Sequence, residues 1–276
     1  MRECYHSTDM KNLRLLAVVL AVMSVPILLI TTNVRWVINA PVLYSYGFDR
    51  YDIPTYTGLE RGELLSAARQ IRDYFNNDEE FLSVRVVLRG VPVNNLFLQE
   101  VNTPLRVEYI GIDGPGPGND REVLHMKDVK RLVRGVYILQ EIAFLYLVAF
   151  AVGGFLVRKR AFAPQMVRYM GWGGAATLGL VVFVGLVALI GFDRLFLAFH
   201  LISFSNDLWL LDPSRDFLIA MFPEAFFFDA TMAIAALTVL EALLLAAAPV
   251  VFLRWRPRWL RGAGRWVGRR AQRTAG

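Results

Sequence analysis

Four apolar runs of helix length constrain this chain more than anything else in it. They cover residues 13–32, 136–157, 172–192 and 230–253. A helix needs roughly 20 apolar residues to cross the hydrocarbon core, where backbone groups must be satisfied inside the segment. Each run therefore predicts one spanning helix. The composition agrees, since 55% of the 276 residues are hydrophobic and the mean hydropathy is +0.41. Such a chain is too apolar for an ordinary soluble domain.

Charge assigns the two sides. Arg2, Lys11 and Arg14 stand at the head of the first run, and Arg158, Lys159, Arg160 and Arg168 fill the 158–171 connection. The 193–229 connection holds only Arg194 and Arg215 against six acidic residues. The positive-inside rule then puts the 1–12 leader, the 158–171 loop and the 254–276 tail in the cytoplasm. Residues 33–135 and 193–229 face outward. The net charge of +6 is misleading, because the tail alone carries eight arginines and no acid, leaving −2 for the rest. A basic tail beside anionic lipid explains that balance, and no nucleic-acid partner is expected.

The first run is expected to persist as an anchor. A cleavage after Ala40 would place Ile38 at the small-residue position and Pro41 next to the cut. Cys4 precedes the run, so it is not a lipobox cysteine. As the only cysteine it can form no disulfide within the chain, and the outer region must hold by packing.

The 33–135 region is long enough for a small α+β cap. Thr57 and Glu60 have capping-box spacing ahead of Leu64, Leu65, Ala68, Ile71, Tyr74 and Phe75, which predicts a helix over 58–75. Residues 81–88, 91–99 and 105–112 read as strands. The run DGPGPGND at 113–120 is turn chemistry; it lacks the Lys-Ser/Thr ending of a phosphate loop, and its prolines remove backbone donors. Met126, Val129, Leu132, Val133 and Val136 then form a helical stripe leading into the second run. The expected fold is an α-helical membrane protein, with four transmembrane helices under a small extracytoplasmic α+β cap.

Two histidines fall at the outer ends of spans: His125 before the second run and His200 after the third. His6 lies in the leader. Imidazole titrates near neutrality, so it can take a proton in one step and return it in the next. A carboxylate can hold the ring, and Asp128, Asp207, Asp212 and Asp216 are candidates. Imidazoles more than roughly 10 Å apart could not share a reacting centre. No HExxH or similar close spacing occurs, so no metal and no cofactor is expected. No serine stands in a nucleophile elbow, so in an acyl transfer the substrate would supply the nucleophile. Asn206, Trp209 and the Asp212–Pro213 pair have plain structural readings too. Asp212 can cap a short helix, Pro223 can open the next, and Glu224 and Asp229 suit a helix N-terminus. Phe217, Phe222, Phe226, Phe227 and Phe228 suit an interfacial belt or the wall of a lipid pocket. Glu141 and Glu241, inside apolar runs, are expected to face the bundle interior.

The motifs LHMKDVK at 124–130 and FHLISFSNDLWLLDPSRDFLIAMFPEAFF at 199–227 resemble those of the lipoprotein intramolecular transacylase family. The order of spans and the outer cap are similar as well. The resemblance implies four membrane helices under an extracytoplasmic cap, with His125 and His200 as the catalytic pair at the boundary. It implies transfer of the sn-2 acyl chain of a diacylglyceryl lipoprotein to the α-amine of its N-terminal cysteine, in a bacterial cytoplasmic membrane. Asp128, Asn206, Asp207, Asp212 and Asp216 would then support or orient the rings. Phe199, Phe204, Trp209, Phe222, Glu224 and Phe226 would line the pocket. The expected partners are a diacylated bacterial lipoprotein and membrane lipid; the oligomeric state stays open. A non-catalytic module binding lipoprotein or lipid at the outer leaflet is the alternative.

Overall fold

The computed structural model describes residues 2–88, 105–110, 120–212 and 216–254. Each apolar run sits inside a longer helix: α1 (Arg2–Asn39), α5 (Asp120–Arg158), α6 (Ala163–Ser203) and α8 (Glu224–Arg254). Between them come α2 (Pro41–Arg50), α3 (Ile53–Thr57), α4 (Arg61–Asn76), strands β1 (Val84–Leu88) and β2 (Leu105–Ile110), and α7 (Phe217–Met221). Three helical stretches among the described residues are long and apolar enough to cross a membrane: Met10–Asn39, Arg121–Ser203 and Glu224–Phe252. The middle stretch holds both α5 and α6, divided by a 3-10 turn at Lys159–Phe162 where Lys159 adopts a left-handed φ of 51°. Leu156, Val157, Leu189 and Ile190 are exposed on these helices, as side chains facing lipid tails are.

The chain forms two compact units. One comprises Met1–Leu29, Ile142–Leu180 and Thr238–Gly276. Its helices meet through Ala21, Val25 and Leu147, flanked by Leu28, Met170 and Leu245. Small residues let the backbones approach, as helices in lipid commonly do. A Cβ on Gly174 would fall 2.7 Å from the Ala242 carbonyl oxygen and 2.8 Å from the Ala246 nitrogen. Backbone atoms cannot swing aside, so Gly174→Leu is expected to destabilise the fold by about 3 kcal/mol or more. Thermal unfolding in detergent, compared with the parent chain, checks this.

The other unit comprises Ile30–Glu141 and Val181–Leu237. Its core gathers Phe48, Leu64, Ile71, Tyr74, Leu82, Val84, Val123, Met126 and Met221. Helix α4 contributes Leu64, Ala67, Ala68, Ile71, Tyr74 and Phe75, the buried stripe of an amphipathic helix. Its start differs from the sequence expectation. Gly58, in left-handed backbone at φ 69°, closes α3, and the Thr57 hydroxyl donates to the Ile53 carbonyl at 2.8 Å. Thr57 therefore ends one helix instead of capping the next, and α4 begins three residues later than expected, at Arg61. Strands β1 and β2 pair antiparallel with Val86 opposite Val107. The strand expected over 91–99 lies outside the described residues, as does all but the last residue of 113–120.

Two further features depart from expectation. Beyond Gly191, where the backbone leaves helical geometry, α6 resumes and runs to Ser203, so His200 stands on a helix and not in a loop. The Glu141 side chain is 63% exposed and pairs with Arg35 at 3.4 Å, so it does not face a packed interior. Arg35 also donates to Gln140 at 3.1 Å and lies 4.3 Å from the Tyr137 ring centre. A cationic partner on α1, not burial, satisfies that glutamate.

Candidate active site

Helix α5 begins well before the apolar run, and its first turns carry Arg121, Glu122, His125 and Asp128. Their spacing of three and four residues puts them on neighbouring faces. The end of α6 presents Phe192, Phe196 and His200 four residues apart. The two elements bring the imidazoles of His125 and His200 to 6.3 Å between ring centres, inclined by 28°. Both histidines are buried, at 7% and 8% exposure. Phe204 lies against both, 5.1 Å from His125 and 5.7 Å from His200. Phe196 at 4.4 Å, Trp209 at 4.9 Å and Phe199 at 5.3 Å surround the rest of the His200 ring.

The rings are held differently. His200 Nδ1 lies 2.7 Å from the Phe196 carbonyl oxygen. A carbonyl only accepts, so Nδ1 carries a hydrogen and the lone pair of a neutral ring belongs to Nε2. The expected carboxylate orienter is thus replaced by a backbone carbonyl one helical turn back. His125 Nδ1 is buried with no hydrogen-bond partner. Burial disfavours its charged form and the nearby His200 adds to that, while Asp128 opposes it, so its pKa falls to about 4.

That shift has a consequence for stability. Between pH 6.5 and about 4 the unfolded chain binds a proton at His125 that the folded chain does not. Stability is therefore full above about pH 6.5 and falls as the pH drops toward 4, by about 3 kcal/mol from this group. The midpoint of thermal unfolding in detergent should fall more steeply with acid in the parent chain than in His125→Gln. Parallel slopes would remove the assignment.

The acidic residues divide into separate tasks. Asp128 accepts from the Asn206 amide at 2.8 Å and from Arg131 at 2.9 Å, not from an imidazole. Arg121 donates to the Asp207 carbonyl at 2.5 Å and lies 3.8 Å from its carboxylate. Asp216, 2% exposed, accepts the Asp212 N–H at 2.6 Å. Asp216, not Asp212, is the residue before α7, and its carboxylate turns back along the chain without capping that helix. Pro213 lies outside the described residues. Asp207 thus ties its backbone and carboxylate to Arg121 on α5, and Asp216 ties its carboxylate to the Asp212 backbone. None of these contacts forms a metal cluster: among the described residues, no three His, Cys, Asp or Glu side chains converge as ligands.

The expected pocket also divides. Phe199, Phe204 and Trp209 adjoin His200. Phe222 and Phe226 instead pack into the core against Tyr44, at 6.0 and 5.9 Å. Hydrophobic burial on α2 outcompetes any wall position for them. Glu224 is exposed in the first turn of α8, where a negative charge suits the helix dipole. Sequence reasoning missed Phe196, which was signalled by its four-residue spacing from His200. It also missed Glu122, 4% exposed, whose carboxylate accepts the Leu218 N–H and so ties α5 to α7.

A family model described as lipoprotein intramolecular transacylase Lit matches residues 19–227, which include both histidines and everything around them. The chain belongs to that family. An uncharacterized protein of Aquifex aeolicus is 30% identical over 129 residues, a match spanning 45% of this chain and 53% of that relative, about half its length. In the fold, the chain is similar to the membrane integral lipoprotein intramolecular transacylase Lit of Bacillus cereus, solved in meso. The TM-score is 0.66 at 18% identity, covering 88% of this chain and 97% of the other. A second structure of that Bacillus cereus protein, with one histidine replaced by arginine, scores 0.63 and covers 92% of this chain and 96% of its own. A third, with a histidine replaced by alanine, also scores 0.63, at 91% and 97%. Family membership and the apolar helices make this chain an α-helical integral membrane protein.

Proposed function

We propose that this chain is a membrane-embedded acyltransferase. It moves the sn-2 acyl chain of a diacylglyceryl lipoprotein to the α-amine of the same molecule's N-terminal cysteine and releases a lyso-form lipoprotein. The observation that carries the reading is the pair of buried imidazoles 6.3 Å apart, one pinned through Nδ1 and the other with a buried Nδ1 lacking a partner. Family membership supports the reaction class.

The chemistry follows from what each ring can do. The neutral α-amine attacks the sn-2 ester carbonyl carbon, and His200 takes the amine proton on Nε2. The carbonyl oxygen becomes an oxyanion, which a donor on His125 stabilises. The carbon–oxygen bond to the glycerol then breaks, the amide forms, and the proton passes to the sn-2 oxygen as a hydroxyl. One proton moves and no water or cofactor is consumed. Because amine and ester belong to one molecule, much of the acceleration comes from holding them together. His125, kept neutral by burial, does not compete for the amine proton.

In the proposed topology, α1, α5, α6 and α8 provide four spans with both termini cytoplasmic. Helices α2–α4 and the β1–β2 sheet form the extracytoplasmic α+β cap. The turn at Lys159–Phe162 supports two spans within the longest apolar stretch. The histidines then sit at the outer leaflet, where diacylated lipoproteins are held by their acyl chains.

The test is a label experiment on the purified protein. A synthetic diacylglyceryl lipopeptide with a deuterated sn-2 chain is mixed with an unlabelled one of different peptide mass. The reading predicts the label on the amine of its own peptide. Unreacted lipopeptide would reduce the protein to a lipid-binding module, and label crossing between peptides would rule out the intramolecular route.

A further inference from the structure

Two hydrogen-bonded struts join the helix of one histidine to the segment that follows the other. Asp128, one turn after His125 on α5, accepts the Asn206 amide at 2.8 Å. Arg121, one turn before His125, donates to the Asp207 carbonyl. The residues gripped are adjacent, and around them stand Phe204, which touches both imidazoles, and Trp209, which covers His200. The Asn206 amide is fixed at both ends, because its oxygen accepts the Leu208 N–H at 3.1 Å. The second Asp128 oxygen is likewise taken by Arg131 at 2.9 Å. A carboxylate only accepts, so the bridging bond runs in one direction, from the Asn206 amide to Asp128.

We propose that Asp128 and Asn206 are positioning residues for the acyl transfer, acting as a clasp that sets the distance and mutual tilt of His125 and His200 through the Phe204–Trp209 segment. The proposal rests on the reading of the two histidines as the reacting pair. Neither residue reaches an imidazole by hydrogen bond, so neither moves a proton. A misplacement on the order of 1 Å in such a pair costs about 100-fold in rate. Breaking the clasp should lower kcat and leave KM nearly unchanged.

The experiment compares Asp128→Ala, Asn206→Ala and the exchange variant Asp128→Asn with Asn206→Asp. The exchange reverses the direction of the bridging bond yet keeps a donor and an acceptor, and still offers acceptors to Arg131 and the Leu208 N–H. Each variant is checked for thermal unfolding in detergent and assayed on the diacylglyceryl lipopeptide. In parallel, the rate at which diethyl pyrocarbonate modifies His200 is read by peptide mass spectrometry. The proposal predicts kcat lower by about 10- to 100-fold in each alanine variant, with KM within about twofold. It predicts His200 modification several-fold faster in both, and both readouts restored toward the parent in the exchange. Folded alanine variants with parental kcat, or with His200 as protected as before, would overturn it. If an alanine variant does not fold, the exchange decides alone: a folded exchange variant with low kcat and exposed His200 refutes the clasp. The modification rate needs no substrate, so an inactive parent chain would refute the acyl-transfer reading while leaving the clasp to stand or fall on His200 protection.

Discussion

Replacing His200 with alanine is expected to lower the rate of acyl transfer by about 10²- to 10⁴-fold, the usual contribution of a positioned general base. The Phe196 carbonyl fixes the Nδ1 hydrogen, which leaves Nε2 as the only basic site on this ring. No other described imidazole can replace it, because His125 lies 6.3 Å away and burial lowers its basicity. The ring also fills space among Phe196, Phe199, Phe204 and Trp209, so alanine leaves a cavity. His200→Gln keeps most of that volume and removes the base. Both variants should lose activity alike, and the glutamine variant should retain the parent's unfolding temperature. A glutamine variant with parental initial rates would remove His200 from the reaction.

His125→Ala is the second large effect, about 10²- to 10³-fold in kcat, the scale of losing one oxyanion donor. It should raise the chain's resistance to acid, since it removes a buried group that charges on unfolding. Activity and acid stability should thus move in opposite directions in one variant. Because the proposed mechanism uses the two histidines in a single step, the double variant should be little slower than the worse single one. Initial rates on the lipopeptide for the four combinations measure this; fully multiplicative losses would mean that the rings act independently.

The sequence made some of this arrangement legible and hid the rest for physical reasons. The apolar runs were readable because hydrocarbon thickness fixes their length. Their ends were not, since α5 and α6 continue in polar and aromatic residues that favour helix without being apolar enough to mark a span. The closeness of His125 and His200 was foreshadowed by their similar distance from span ends. What holds them was not. A backbone carbonyl such as that of Phe196 exists at every residue, so nothing in the sequence singles it out. Among the aromatic residues of 199–229, composition alone cannot separate Phe204, beside the imidazoles, from Phe222 and Phe226, which α2 draws into the core. Asp128 was readable as a partner near His125, but the structure gives its carboxylate to Asn206 and Arg131.

The most direct test of the central claim reads the N-terminal cysteine of a reporter lipoprotein by tandem mass spectrometry. The chain, or its His200→Gln variant, is expressed in a bacterial host whose own lipoproteins carry two acyl chains on the glyceryl group and a free amine. The account predicts one acyl chain on the α-amine and one on the glyceryl group with the parent chain, and the host pattern with the variant. A free α-amine and an intact diacylglyceryl group in the presence of folded parent chain would contradict it.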